Sequence, residues 1–224
     1  ARDVNTIVLL ADEDGKSYIV RLDRKAATVE QGPSLSGLPT DLVVVDADLA
    51  AADVRPAPAH WTYETLLTAG AALRVAEMAG ALERVLELTV TYANERVQFG
   101  KPIGKQQAIQ QQLAILAGQA AACGAAADIA GAAFERLDVL AIAAAKARAG
   151  EAASIAAPIA HQVHGAIGFT EEHRLHFFTR RLWAWRDEFG SQRYWSAVVG
   201  RKAIAAGGNG IWPFVVSIGA AQEA

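Results

Sequence analysis

The most chemically suggestive stretch of the chain is Tyr92-Ala-Asn-Glu-Arg-Val-Gln-Phe-Gly-Lys-Pro-Ile-Gly-Lys-Gln-Gln-Ala-Ile-Gln. It places Arg96 at the end of a helical pattern, follows it with an aromatic residue and a glycine, and restarts a helix carrying two amides at its N-terminus. A guanidinium beside a fresh helix N-terminus suits a phosphate or pyrophosphate, because both present donors to an anion. The plainer alternative is that Arg96 only complements its own helix dipole and that Gly100-Lys101-Pro102 is a helix stop. Four imidazoles raise a metal reading, since His161 and His164 are three apart, as are His173 and His176, and each pair can lie on a helix face. No cysteine framework accompanies them, so no metal site is expected. Residues 174–202 hold seven cations against Asp187 and Glu188, with Trp183, Trp185 and Trp195 interleaved. Such a mixture can bind nucleic acid. It also suits the phosphates and adenines of nucleotide cofactors, or a subunit interface, and these two readings are preferred, with no nucleic-acid partner expected.

These groups must be positioned by two kinds of segment. Up to about residue 55 the chain reads as β: apolar runs at 4–10 and 17–22 flank Asp12-Glu13-Asp14-Gly15, a hairpin turn, and further short runs follow at 28–31 and 42–45. The stretch at 51–58, with two prolines, reads as punctuation. From Thr62 the pattern is helical, with Thr62 or Thr65 as cap and apolar residues at three- and four-residue spacing as far as Arg96. A second helix is predicted from about Lys105 to Arg136, and a third from Asp138 past Pro158 to the turn at Gly165. Thr170 is expected to cap a fourth, with Glu171 and Glu172 in its first turn, and Ser191 a fifth running through Ala205. Long helices with short connections imply an up-and-down bundle.

Composition bounds the rest. In 224 residues, 49 alanines, 52% hydrophobic and 20% charged residues favour close-packed helices over disorder. A net charge of −3 gives no global attraction for nucleic acid or an anionic membrane. The single Cys123 suits a buried thiol in a reducing compartment, so a cytoplasmic location is expected. Gln119, Asp128 and Lys146 interrupt the longest apolar runs, and no membrane span is expected. The start at Ala-Arg-Asp-Val, without an initiator Met and close to a strand, suggests a fragment of a longer protein.

The run around Arg96 resembles the flavin-binding signature of acyl-CoA dehydrogenases, in which a long helix ends in Arg-x-x-Phe-Gly-x-x-Ile followed by Gln. A second region, His161-Gln162-Val-His-Gly165-Ala-Ile-Gly168-Phe169-Thr-Glu-Glu, is similar to that family's Gln-x-x-Gly-Gly-x-Gly-Phe-x-x-Glu turn. Arg180, eleven residues after Phe169, stands where the family has an arginine. The resemblance spans essentially the whole chain and implies an α+β, predominantly α protein, with a four- or five-helix bundle preceded by part of an antiparallel β-domain. Residues 1–55 would be the second half of the middle β-domain, 60–210 the C-terminal helical bundle and 211–224 a tail.

Carried over by position, the resemblance implies that Arg96 reaches the pyrophosphate of FAD, Phe99 packs on its adenosine part and Gln107 adds a polar contact. Gln162, Gly165 and the backbone of Ala166 would hold the dinucleotide of a neighbouring subunit, and Ser191 and Arg193 would meet the adenine end. Ala166 replaces the second glycine of the pair, which is tolerable where the local φ is negative. The family's catalytic glutamate precedes the last glycine, and here that residue is Phe189. Glu188 is the local candidate for the base. The alternative base position on the long helix falls near Gly70, while Glu64 and Glu77 read as solvated or paired with Arg74. The implied function is FAD-dependent α,β-dehydrogenation of an acyl-CoA thioester, as in fatty acid or steroid degradation, with electrons passed to an electron-transfer flavoprotein. A homo- or hetero-oligomer, dimer or tetramer, is expected. The alternative is a non-catalytic partner subunit of a heteromeric dehydrogenase, its base position taken by Phe189.

Overall fold

The computed structural model describes residues 1–46, 50 and 53–218. The chain divides into two compact units, Ala1–Leu67 and Thr68–Ala224. In the first, β1 (Thr6–Glu13) and β2 (Lys16–Asp23) form an antiparallel hairpin in which Leu9 pairs with Val20 and Glu13 with Lys16. Asp14 and Gly15 close it, both at positive φ. β3 (Ala27–Glu30) pairs separately with β4 (Leu42–Val45). Val20, Leu22 and Ala27 are buried together, packed by Ile7, Leu9 and Val43 among others. Residues 54–56, read as punctuation from the sequence, instead form β5 (Val54–Pro56) at the edge of β2. An edge strand tolerates proline because its outer N–H is not needed for the ladder.

Five helices follow. α1 (Tyr63–Glu95) starts at a reciprocal cap, in which the Thr65 hydroxyl accepts from Thr62 N at 2.7 Å and the Thr62 hydroxyl from Thr65 N at 3.3 Å. Its Val75, Met78, Leu82 and Val85 are fully buried. The segment read as a helix stop is a tight hairpin, β6 (Val97–Gln98) with β7 (Lys101–Pro102), turning through Phe99 and Gly100 at φ 53° and 77°. α2 (Gln107–Phe134) and α3 (Val139–His164) follow, α3 capped by Asp138 Oδ1 accepting from Leu140 N and Ala141 N. α3 is the central helix: it buries fifteen of its 26 residues, nine of them alanines, and packs along α2 and α5. α2 leaves much of its surface open and buries only five residues.

Three expectations are corrected here. Thr170 does not cap the fourth helix; its hydroxyl turns back to Ile167 O at 2.9 Å and ends a 3₁₀ turn over Gly165–Phe169. α4 (Leu175–Trp185) begins later, where His173 Nδ1 accepts from Leu175 N. His173 therefore lies outside a helix, and the His173/His176 pair does not share a helix face. α5 (Gln192–Ser217), capped by Ser191, runs well past Ala205 and through residues 211–217, with a kink at Gly207 (φ 69°, ψ 172°). Residues 219–224 of the expected tail lie outside the described residues. In addition, α1 and α2 are each long and apolar enough to cross a bilayer by length and composition, because alanine raises hydropathy despite the charged interruptions. α1 uses that character to form the core of the second unit.

Candidate functional site

Where α1 ends, the hairpin turns, α2 begins and α3 ends, the chain encloses a cavity of about 490 Å³. Its floor is the cluster of Ala93, Ile103 and Val163, packed by Tyr92, Ile109 and Ile159. Two backbone contacts fix the rim: Arg96 N donates to Tyr92 O at 2.9 Å, and Ile103 N to Arg96 O at 2.8 Å. Gly104 lets the chain approach α1 closely, since a Cβ there would lie 3.1 Å from Ala93 O. Arg96, Gln98, Gln106 and Gln162 line it together with Gly165 and Ala166. The Arg96 side chain is exposed and makes no ion pair among the described residues. Gly165 takes φ 65°, a Cβ built on it would meet nothing within 4 Å, and Ala166 is not among the positive-φ residues. The condition for tolerating Ala166 in place of glycine is therefore met. An exposed guanidinium, amide groups, open backbone and the first turn of α2 together suit a pyrophosphate-containing ligand.

Beside the cavity lies a stack of rings. Tyr92 stacks on His164 at 4.6 Å, and His164 lies 4.6 Å from His173. His161 stacks between Phe169 and Trp183, at 4.5 and 5.7 Å, and its Nε2 meets the Thr179 hydroxyl at 2.9 Å. That hydroxyl donates to Leu175 O at 3.3 Å, so His161 Nε2 carries the proton it donates. His164 Nδ1 likewise donates to Ala160 O at 2.7 Å. Burial holds His161, His164 and His173 below the ordinary imidazole range. No group of three or more His, Cys, Asp or Glu is placed to hold a metal among the described residues. His161, stacked on Phe169 and hydrogen-bonded to Thr179, ties the Gly165–Phe169 turn to α3 and α4.

The second region is the turn after α4. Phe189 and Gly190 sit at φ 53° and 93°, and such a backbone costs a non-glycine residue about 1–2 kcal/mol. Several contacts hold it. Trp195 Nε1 donates to Phe189 O at 2.9 Å, and Lys146 Nζ donates to both Arg186 O and Gly190 O at 2.9 Å. The Phe189 ring occupies the notch at Gly70, where an added Cβ would fall 2.1 Å from Phe189 Cδ1. Lys146 is fully buried, and burial lowers its pKa from 10.5 to about 8. Glu188 Oε2 accepts from Arg74 Nε at 2.8 Å and pairs with Nη2 at 2.7 Å, while Arg74 also pairs with Glu77. The Arg74 guanidinium lies over the rings of Trp185 and Phe189, at 5.4 and 5.6 Å.

Of the residues singled out from the sequence, the cavity gathers Arg96, Gln162, Gly165 and Ala166. Phe99 stands 91% exposed at the hairpin tip rather than in the cavity. Gln107 is the exposed first residue of α2, and its neighbour Gln106 takes the lining position. Ser191 serves as the α5 cap and Arg193 is exposed on its first turn; neither lines the cavity. The roles of Lys146 under the turn and of Arg74 toward Glu188 were missed. Each lies on a helix whose pattern marks only spacing, and these partners are 40 or more residues away, while Arg74 also pairs with its neighbour Glu77. Cys123 is buried, and burial pushes its thiol up to about 11.

A family profile described as acyl-CoA dehydrogenase, C-terminal domain, matches residues 61–201. Among relatives, an acyl-CoA dehydrogenase named IpdE2 from Mycobacterium tuberculosis is 45% identical over 111 residues, covering 50% of this chain and 34% of its own length. The 3-sulfinopropanoyl-CoA desulfinase of Paraburkholderia xenovorans is 30% identical over 183 residues, 71% of this chain and 45% of its own. The chain thus spans a third to a half of these relatives. Glutaryl-coenzyme A dehydrogenase in complex with glutaryl-CoA shares the fold, with a TM-score of 0.83 at 24% identity over 91% of this chain and 56% of that one. With the profile covering well over half of its residues, the chain belongs to the acyl-CoA dehydrogenase family.

Proposed function

We propose that this protein takes part in FAD-dependent α,β-dehydrogenation of an acyl-CoA thioester, with electrons leaving to an electron-transfer flavoprotein. The observation carrying this reading is the cavity that Arg96, Gln106 and Gln162 line together with Gly165, where an added Cβ would meet nothing within 4 Å. Arg96 would meet the pyrophosphate, and Phe99, exposed at its hairpin tip, the adenosine part. Gln162, Gly165 and Ala166 would hold the dinucleotide of a neighbouring subunit, with Gln107, Ser191 and Arg193 adding polar contacts elsewhere along it. Bound FAD would supply the hydride acceptor. Within the chain, Glu188 would take the α-proton, for which its carboxylate must leave Arg74.

A second reading is favoured by a specific observation. Phe189 fills the notch at Gly70 and Arg74 engages Glu188, so neither base position presents an unpaired carboxylate. This suits a partner subunit of a heteromeric dehydrogenase; the ChsE4-ChsE5 complex of Mycobacterium tuberculosis is a two-component relative in fold, with a TM-score of 0.75 at 24% identity over 90% of this chain and 56% of that one. Flavin fluorescence titration of the full-length protein, then anaerobic bleaching with a panel of acyl-CoAs, tests both. Flavin uptake and bleaching by the homomer, lost in Glu188→Gln, supports the enzyme. An inactive homomer rescued by a second subunit supports the partner reading, and no flavin uptake in either form rejects both.

A further inference from the structure

The turn between α4 and α5 meets α1 at two points one helical turn apart. The Phe189 ring fills the notch at Gly70, and Glu188 Oε2 accepts from Arg74 Nε at 2.8 Å. Residues four apart share a helix face, so both contacts hold only if the turn reaches α1 in one register. Arg74 is steadied there by Glu77 and by the Trp185 ring over which it lies. What fixes the register comes from the other side of the turn. Lys146 Nζ, on α3, donates to Arg186 O and to Gly190 O, both at 2.9 Å. Those two oxygens bracket Asp187, Glu188 and Phe189, and a single nitrogen bonded to both keeps them within about 6 Å of each other. Four steps of extended chain would span about 14 Å. Lys146 thus closes the base of the loop that carries Glu188 and Phe189 to α1.

Lys146 is fully buried, and among the described residues no carboxylate forms an ion pair with it. Taking an ammonium out of water is costly unless its donors are used, and a methionine would fill the same length without that cost. What the lysine adds is therefore its two bonds to the turn. Trp195 Nε1, the other side chain that donates to this backbone among the described residues, reaches Phe189 O and leaves the ends of the loop unjoined. We infer that Lys146 is a positioning residue: by joining Arg186 O to Gly190 O it sets the register in which Glu188 meets Arg74. Without the ammonium the loop opens at its base, and the carboxylate loses its seat on the guanidinium. The consequence for turnover rests on the proposed role of Glu188 as proton acceptor; the placement itself is a property of this chain and is read without flavin.

The test is a double-mutant cycle between Arg74→Gln and Glu188→Gln in the whole chain, read by urea denaturation and run once with Lys146 and once with Lys146→Met. The cycle cancels contacts of Arg74 that do not involve Glu188, so a general loss of stability leaves the coupling unmoved. The expected result is a coupling in the first background that disappears in the second. Equal coupling in both backgrounds, or none with Lys146 in place, would overturn the inference. Should Lys146→Met fail to fold, the native lysine answers instead: in an isotope-labelled lysine spectrum, Arg74→Gln and Glu188→Gln should each move the Nζ signal of Lys146, and an unmoved signal overturns the inference. In turnover, Lys146→Met should lower kcat by on the order of tenfold or more at unchanged KM, since a displaced base costs rate and not substrate binding. An unchanged kcat, beside a Glu188→Gln protein that has lost activity, also overturns it. If Glu188→Gln keeps full activity, the proposed proton acceptor is wrong and the cycle alone decides the role of Lys146.

Discussion

Replacing Lys146 by methionine keeps the length of the side chain and removes its charge and donors. In the native protein Lys146 Nζ donates to Arg186 O and Gly190 O at 2.9 Å from a fully buried position. Hydrogen bonds from a charged donor contribute about 1.5–3 kcal/mol each, so the pair is worth about 3–6 kcal/mol. Against that stands burial of the ammonium, which lowers the pKa from 10.5 to about 8. At about 1.4 kcal/mol per pKa unit, keeping the proton costs on the order of 3 kcal/mol near pH 7. Lys146→Met should therefore destabilise the fold by no more than about 3 kcal/mol at pH 7. The pH dependence is sharper. Between pH 8 and 10.5 the unfolded chain holds a proton that the folded chain has released, so native stability rises with pH across this window. The neutral amine still has two N–H groups for its two carbonyls. The advantage over the methionine variant should grow by ~2 kcal/mol between about pH 7 and about pH 9.5. Urea denaturation followed by circular dichroism at both pH values measures it. Parallel pH dependence of the two proteins, or a methionine variant more stable at both, would refute the reasoning.

Gly70→Ala should destabilise the fold by about 1–3 kcal/mol through overpacking against the Phe189 ring; adding Phe189→Ala should remove most of that penalty in a thermal-melt double-mutant cycle. Arg96→Gln should weaken FAD binding at least tenfold, from loss of about 1.5–3 kcal/mol of charge-assisted hydrogen bonding, with an unchanged melting temperature. Burial holds His161, His164 and His173 below the ordinary value of 6.5, so their contribution to stability is present above pH 6.5 and lost as pH falls through their folded values. Native stability should drop in that acid range, and the drop should be smaller in His164→Phe; equal acid sensitivity by chemical denaturation would count against the imidazoles.

The elements that depend on spacing were legible. Apolar residues three and four apart located α1, α2 and α3 within a few residues, and Asp138 and Ser191 marked helix starts because their short side chains reach the second or third amide. Residues 54–56 were not, because Arg-Pro reads as a breaker while the pairing that makes it a strand comes from β2, more than thirty residues away. Thr170 has the sequence of a cap, Thr followed by two glutamates, but the preceding Gly165–Phe169 turn already uses its hydroxyl. Of the cavity lining, Arg96 stood out from its own local run, and Gln162 and Gly165 came from the family resemblance. Helix spacing left Glu77 either solvated or paired with Arg74; the two do pair, and Glu188, 114 residues distant, shares the same guanidinium. Lys146 looked like a charge interrupting an apolar run, and only the fold supplies the two carbonyls that explain it.

The central helix separates the two halves of the candidate site. Lys146, under the 186–190 turn, and Gln162, on the cavity, are sixteen residues apart on α3, about 24 Å along its axis. Hydrogen bonds at one end do not share partners with those at the other, so changes there should combine additively. The turn can thus be altered without dismantling the cavity. Phe189 seated on Gly70 and Glu188 engaged by Arg74 are local facts about the turn, and they involve none of Arg96, Gln162 and Gly165. Arg96→Gln and Glu188→Gln therefore interrogate separate properties: the first should change flavin affinity without touching the turn, and the second should change proton transfer, if the homomer performs it, without changing flavin affinity.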